Sequence, residues 1–167
     1  ESDTPFEFET LKDAFDAINN NTWNGEIVVE CPANSAINFY STGSHDLTVK
    51  KSVTIEGNGS YAMSNGKYGG HFTVDTFKDY LTADKETKLV IKGLNDFGVW
   101  GQRTTADATF TLEMEGCNIG TDGRTLSDGN GKAVYLSGAN GVNNISLKNC
   151  KFGANASHCT VYSKAPG

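Results

Sequence analysis

Residues 53–59 read VTIEGNG, and this form recurs three times further along the chain, as LVIKGLN at 89–95, LEMEGCN at 112–118 and ISLKNCK at 145–151. In each copy one position separates two apolar residues, and a charged residue and then Gly or Asn follow. The second apolar residues are Ile55, Ile91, Met114 and Leu147, so the copies are 36, 23 and 33 residues apart. This alternation predicts strands that bury one face, and the uneven spacing predicts connecting loops of variable length.

A second family of strand-like segments interleaves with the first. Its members are HFTVD at 71–75, GVWGQ at 98–102, AVYLS at 133–137 and TVYSK at 160–164. They align on Phe72, Val99, Val134 and Val161. Each segment of the first family is followed by one segment of the second before the next copy begins.

This ordered recurrence is what successive turns of a coiled chain produce. Strands wound into such a coil bury their apolar faces inside it, and Gly and Asn fall at corners that need positive φ. The predicted fold class is therefore all-β, a parallel β-helix of about four to five turns over residues 26–164. An antiparallel sandwich is the alternative, and it explains the short strands but not their order.

An amphipathic helix is predicted near the start of the chain, within residues 8–21. Thr10 is the expected N-cap, with Asp13 three positions later as its capping-box partner. Apolar residues then recur at helical spacing, at Leu11, Ala14, Phe15 and Ile18. We expect this helix to cap the coil by covering the apolar side chains and the backbone edge of its first turn.

Length and composition bound the classes of function. The 167 residues suit one domain, and 19 glycines with only three prolines favour many tight turns. Fourteen basic residues face 20 acidic ones, a net charge of −6, so nucleic acid is not an expected partner. No apolar run reaches the roughly 20 residues that a membrane-spanning helix requires. The four cysteines contain no CxxC pair, and neither a metal site nor a cofactor is predicted.

Several segments resemble right-handed parallel β-helix proteins of the pectin-lyase-like superfamily. The opening FETLKDAFDAINNN, GEIVVE and KKSVTIEGNG looks like the start of such proteins, and FTLEMEGCNIG and ISLKNCKFGANAS resemble their middle turns. The resemblance covers most of the chain and is greatest to large bacterial surface or secreted proteins. It implies a fold more strongly than an activity. It also implies an extracellular or cell-surface location, although residues 1–5 (ESDTP) do not read as a signal peptide.

Enzymes of that superfamily cleave polysaccharides, but no catalytic residue is predicted here. The sequence has no Asp-Asp pair and no Gly-His-Gly, and Arg103 and Arg124 are its only arginines. Asp122 and Asp128 have the spacing of paired carboxylates, but they lie in TDGRTLSDGNGK, which reads as a polar turn. The three histidines are scattered without ligand spacing.

Two cysteines occupy the same position in consecutive copies, Cys117 after Gly116 and Cys150 after Asn149. Strand spacing places their backbones about 4.8 Å apart, which allows either a disulfide or a stack of reduced thiols. No base is indicated beside either residue. We expect a structural pair without reactivity.

The charged residues of the first family form a column whose sign alternates from copy to copy, Glu56, Lys92, Glu115 and Lys148. Opposite charges on neighbouring strands attract and like charges repel. The column therefore favours the proposed register, and its predicted role is structural.

The second family predicts a row of aromatic residues on the outer face. Trp100, Tyr135 and Tyr162 each follow the inward-facing residue of their strand. Aromatic rings in a row suit the faces of sugar rings, and Gln102 and Arg103 are candidates to hydrogen-bond sugar hydroxyls. The alternative is that stacked aromatics only stabilise the sheet.

These patterns lead to three hypotheses. The first is a non-enzymatic, adhesin-like or glycan-binding module of a bacterial surface protein, with a carbohydrate such as a host surface glycan as its partner. The second is a polysaccharide lyase or glycoside hydrolase, and the third is a purely structural spacer. Because TVYSK ends close to residue 167 with no covering segment, we expect residues 1–167 to be the N-terminal part of a longer solenoid, or to be covered there by another subunit.

Overall fold

The computed structural model describes residues 5–23, 25–40, 46–64, 67–74, 86–103, 109–119, 134–138, 142–153 and 161–164. These residues form one helix and fifteen short strands. The predicted all-β class is confirmed, with one helix among the described residues.

Helix α1 spans Leu11–Asn20 and begins at the predicted cap. The Thr10 hydroxyl accepts a hydrogen bond from the Asp13 backbone N–H at 3.1 Å and donates one to the Asp13 carboxylate at 2.7 Å. The four apolar residues of the predicted stripe are buried. At the other end the Asn21 N–H donates to the Ala17 carbonyl. The helix prediction is confirmed, with ends a few residues inside the predicted range.

Five parallel strands form sheet 1, in the order β1-β4-β8-β10-β13. They are β1 (Val28–Glu30), β4 (Val53–Glu56), β8 (Glu86–Lys92), β10 (Thr109–Glu115) and β13 (Val142–Lys148). The last four are the first family of the sequence, and the predicted apolar residues are register partners: Ile55 with Ile91, Ile91 with Met114, and Met114 with Leu147.

Five more parallel strands form sheet 2, in the order β3-β7-β9-β12-β15. They are β3 (Asp46–Val49), β7 (His71–Val74), β9 (Gly98–Arg103), β12 (Val134–Gly138) and β15 (Val161–Lys164). The last four are the second family, and Phe72, Val99, Val134 and Val161 align as predicted.

The remaining strands have two to four residues and were not predicted. Strand β2 (Ala36–Asn38) pairs in parallel with β5 (Tyr61–Ser64), and β6 (Lys67–Tyr68) pairs with β5 in antiparallel. Strand β11 (Asn118–Ile119) pairs in parallel with β14 (Lys151–Phe152). Along the chain these strands fall between a strand of sheet 1 and the next strand of sheet 2.

Both sheets bury one face in the same apolar core. Ile55, Leu89 and Leu112 of sheet 1 and Phe72 and Val99 of sheet 2 are completely buried. In β8 and β10 buried residues alternate with more exposed ones, which is the period-two pattern that the sequence predicted.

The corners after three strands of sheet 1 need left-handed backbone. Gly93, Gly116 and Asn149 directly follow β8, β10 and β13, with φ of 58°, 65° and 53°. Glycine adopts this conformation without steric cost, and Asn tolerates it better than most residues. The predicted use of Gly and Asn at corners is confirmed here.

Helix α1 covers the free edge of sheet 2. The Asn19 side-chain amide donates to the Thr48 carbonyl at 2.9 Å and accepts from the Lys50 N–H at 3.3 Å. The Phe15 ring packs against the Phe72 ring, with centroids 5.6 Å apart. The helix therefore bonds to the β3 backbone and also contributes an aromatic side chain to the core.

Candidate functional site

The three aromatic residues of the candidate binding row lie on adjacent strands in one register. Trp100 of β9 is the register partner of Tyr135 of β12, which is in turn the partner of Tyr162 of β15. Neighbouring parallel strands lie about 4.8 Å apart, so the backbone places one aromatic residue per strand along a straight line. The directions of these three side chains lie outside the described part of the structure.

A closely packed core supports this row. Val99 and Val134, which precede Trp100 and Tyr135, are completely buried, and Leu136 is nearly so. Strands β9 and β12, which carry Trp100 and Tyr135, therefore each contribute buried side chains to the core.

The row continues into a threonine on the neighbouring strand. Thr73 of β7 is the register partner of Trp100. Its hydroxyl oxygen is buried and has no hydrogen-bond partner among the described residues. Because Thr73 is not aromatic, the aromatic row ends at Trp100 on this side.

A polar row runs parallel to the aromatic one, two residues further along each strand. Gln102, Ser137 and Lys164 are register partners on β9, β12 and β15. Gln102 was predicted from the sequence, whereas Ser137 and Lys164 were not. Each of the three residues lies two positions after an aromatic residue, and this constant offset could have revealed the row. It was overlooked because the three side chains differ in chemical type. Arg103, also predicted, is the register partner of Gly138.

Sheet 1 carries the predicted charged column. The Lys92 ammonium lies 2.6 Å from the Glu56 carboxylate, and the Lys148 ammonium lies 2.6 Å from the Glu115 carboxylate. The hydrogen bond to Glu56 raises the pKa of Lys92, and the hydrogen bond from Lys148 lowers the pKa of Glu115. These shifts favour the charged forms, so both pairs stabilise the predicted register.

Two features of sheet 1 were missed. Glu30 of β1 is the register partner of Glu56, so the column begins with two like charges before the alternation starts. A further ion pair joins Lys88 of β8 to Glu113 of β10 across 2.7 Å. Lys88 precedes the repeated motif LVIKGLN, and the two residues are diagonal neighbours on adjacent strands.

The stacked cysteines are free thiols in the structure. The Cys117 sulfur lies 3.6 Å from the Ile91 carbonyl oxygen, and the Cys150 sulfur lies 3.5 Å from the Met114 carbonyl oxygen, so each thiol donates to the preceding strand. Burial raises the pKa of Cys117 to about 12 and that of Cys31 to about 11. Thiolate formation is therefore disfavoured at both, which suits packing and not nucleophilic chemistry.

The described residues contain no group of three or more His, Cys, Asp or Glu placed to hold a metal ion. His71 is buried, and Asp122, Asp128, Arg124, His45 and His158 lie outside the described residues. In the same part of the chain no helix has the length and apolarity to cross a membrane.

Comparison with known proteins identifies no relative, because no family model, curated protein or solved structure matches this chain. The functional inference therefore depends on the geometry described above.

Proposed function

We propose that the sheets are the walls of a right-handed parallel β-helix of the pectin-lyase-like type, with α1 as its N-terminal cap. Three observations support this fold. The chain returns to sheet 1 and sheet 2 in a repeating order, strands within each of these sheets are parallel, and both sheets share one core. Each return of the chain is then one coil of the solenoid.

We further propose that the protein is a non-enzymatic, extracellular module of a bacterial surface protein that binds glycans through sheet 2. The observation that carries this proposal is the common register of Trp100, Tyr135 and Tyr162 on three adjacent strands. Period-two alternation predicts that they face away from the buried Val99 and Val134. The proposed site is thus an aromatic row along the coil axis.

Such a row matches the chemistry of a saccharide chain. Aromatic rings offer an apolar face to the C–H face of a sugar and, in tyrosine and tryptophan, a polar group at the edge. The same alternation places Gln102, Ser137 and Lys164 beside the row, where an amide, a hydroxyl and an ammonium group suit sugar hydroxyls. Arg103 falls one residue out of phase with this face.

A glycan array comparing the wild-type protein with single variants tests the site. We expect Trp100→Ala and Tyr135→Ala to lose binding to the glycans that the wild type retains, while melting temperature and circular dichroism show that the fold survives. Lys88→Ala on the outer face of sheet 1 is the matched control and should bind as the wild type does. Unchanged binding by both aromatic variants would remove the row from the site.

A turnover screen separates this proposal from its enzymatic alternative. Neutral and acidic polysaccharides are incubated with the protein, and new reducing ends and unsaturated products are measured. We expect neither to accumulate. Cleavage that depends on the protein would replace the binding module with a lyase or hydrolase.

A further inference from the structure

The sulfurs of Cys117 and Cys150 occupy equivalent positions one strand apart. Lys151, which follows Cys150, donates its backbone N–H to the Cys117 carbonyl at 2.9 Å. The Cys117 sulfur lies 3.6 Å from the Ile91 carbonyl oxygen. The Cys150 sulfur lies 3.5 Å from the carbonyl oxygen of Met114, which is the register partner of Ile91. The surroundings of one sulfur are therefore those of the other moved by one strand, which places the two sulfurs about 4.8 Å apart.

The electrostatics of Cys117 also indicate that the two thiols are close. Burial is the main reason that the pKa of Cys117 rises to about 12, and the neighbouring Cys150 thiol adds to that rise. A backbone hydrogen bond from Leu94 acts in the opposite direction, because it favours a negatively charged sulfur. The two sulfurs can thus share one ligand, and a donor beside Cys117 can offset negative charge there.

Two sulfurs at this separation have the geometry of a linear metal site. Metal–thiolate bonds are about 2.3 Å long, so an ion midway between sulfurs about 4.8 Å apart would make two bonds of ordinary length. Thiolates select soft ions such as Cu(I), and two sulfurs in a line complete the coordination of such an ion without a CxxC pair or a third ligand. We propose that Cys117 and Cys150 together bind one soft monovalent ion of the Cu(I) and Ag(I) class.

Binding replaces two S–H bonds with two metal–sulfur bonds. Each thiol gives its proton to solvent, the ion joins both sulfurs, and no electron is transferred. The high pKa of Cys117 weakens binding at neutral pH but does not prevent it, because a metal ion deprotonates the thiol that it binds. Cys150 is only partly buried, so it is the first sulfur that an entering ion reaches. The site is independent of glycan binding, which uses sheet 2.

Silver titration of a chain that keeps only these two cysteines tests the site. The background variant carries Cys31→Ala and Cys159→Ser, and it is titrated anaerobically with silver nitrate in chloride-free buffer and weighed by native mass spectrometry. We expect one silver ion per monomer. Adding Cys117→Ser or Cys150→Ser should weaken binding at least about 100-fold, because a second sulfur on the same chain acts at a high effective concentration.

X-ray absorption and thiol labelling locate the ion. The silver-loaded background should show two sulfur neighbours around silver, and saturating silver should stop iodoacetamide labelling of Cys150. Circular dichroism without silver checks that each variant folds, and Cys117→Ala or Cys150→Ala replaces a serine variant that does not, since free cysteine packs as a small hydrophobe.

Four results would each overturn the proposal. They are no bound silver, two silver ions per monomer or a silver-linked dimer, a single sulfur neighbour, and folded one-cysteine variants that bind as tightly as the background.

Discussion

Strand β3 at one edge of sheet 2 and strand β13 at one edge of sheet 1 show two ways in which a parallel sheet can end. Helix α1 packs on β3, and the inward residues Leu47 and Val49 are buried there. On β13 the corresponding apolar residues Ile145 and Leu147 are only partly buried. The apolar pattern of a strand therefore does not itself secure burial, which depends on what lies against the strand.

The covered edge shows what such a cover has to supply. The Asn19 amide offers one donor and one acceptor to Thr48 and Lys50, as a peptide group of a neighbouring strand would. Phe15 supplies the apolar surface that the same strand would add. One helix thus supplies part of the hydrogen bonding and packing that a neighbouring strand would provide.

Removing the Phe15 ring, which is the apolar part of the cover that α1 provides, should cause the largest loss of unfolding free energy. Phe15→Ala takes a completely packed ring from the interface with Phe72, and substitutions of this kind cost about 3–5 kcal/mol of unfolding free energy. Urea denaturation measures the loss. The control is Phe8→Ala, because Phe8 is exposed, and equal losses for the two variants would contradict the role given to α1.

Removing the Asn19 amide, which is the polar part of that cover, should cause a smaller loss of unfolding free energy. Asn19→Ala removes one hydrogen bond from the Thr48 carbonyl and one from the Lys50 N–H, and loss of such bonds in a partly buried site costs about 1–3 kcal/mol. Denaturation gives the size of the loss, and hydrogen exchange should show a faster Lys50 amide. The neighbouring, exposed Asn20 provides the control, since Asn20→Ala should change neither quantity.

Reversing the charge of a lysine in the charged column should lower the melting temperature less on the edge strand β13 than inside the sheet. Lys92→Glu places a carboxylate between Glu56 and Glu115, whereas Lys148→Glu meets Glu115 alone. We expect both to lower the melting temperature, with a fall about twice as large for Lys92→Glu. Added salt should shrink both effects. A larger fall for Lys148→Glu would be inconsistent with the register.

Thiol labelling compares matched positions after two neighbouring strands of sheet 1. Cys117, which follows β10, is buried and its pKa is raised to about 12, whereas Cys150, which follows β13, is only partly buried. In a Cys159→Ser background, iodoacetamide should label Cys150 before Cys117, and both more slowly than in urea-unfolded protein. Mass spectrometry of tryptic peptides gives the two rates, and faster labelling of Cys117 would refute the burial order.

The sequence predicted β4, β8, β10 and β13 and their registers because two signals coincide in these strands. Alternation marks the buried face, and the charged residue followed by Gly or Asn marks the corner, as at Lys92-Gly93 and Lys148-Asn149. Strand β1 ends instead in Glu30-Cys31, without that corner signal, and was not assigned to the first family. Strands β2, β11 and β14 have two or three residues, too few to show a period.

The sequence also predicted part of the candidate site. The alignment of Trp100, Tyr135 and Tyr162 followed from the same repeat that aligned Val99, Val134 and Val161. The parallel row of Gln102, Ser137 and Lys164 was missed because its members share a position and not a chemical type. The thiol state of Cys117 and Cys150 also required the structure, since their spacing allows either form.

Tryptophan fluorescence tests glycan binding at the aromatic row most directly. The chain has two tryptophans, and Trp23 packs against Phe6 with ring centroids 5.3 Å apart, so Trp23→Phe leaves Trp100 as the sole reporter. We titrate this variant with neutral and uronic-acid hexasaccharides and use Trp100→Phe, which retains Trp23, as the control. The account predicts a saturable change in emission from Trp100 with at least one saccharide and none from Trp23. An unchanged Trp100 emission with every saccharide, or an equal change from Trp23, would contradict it.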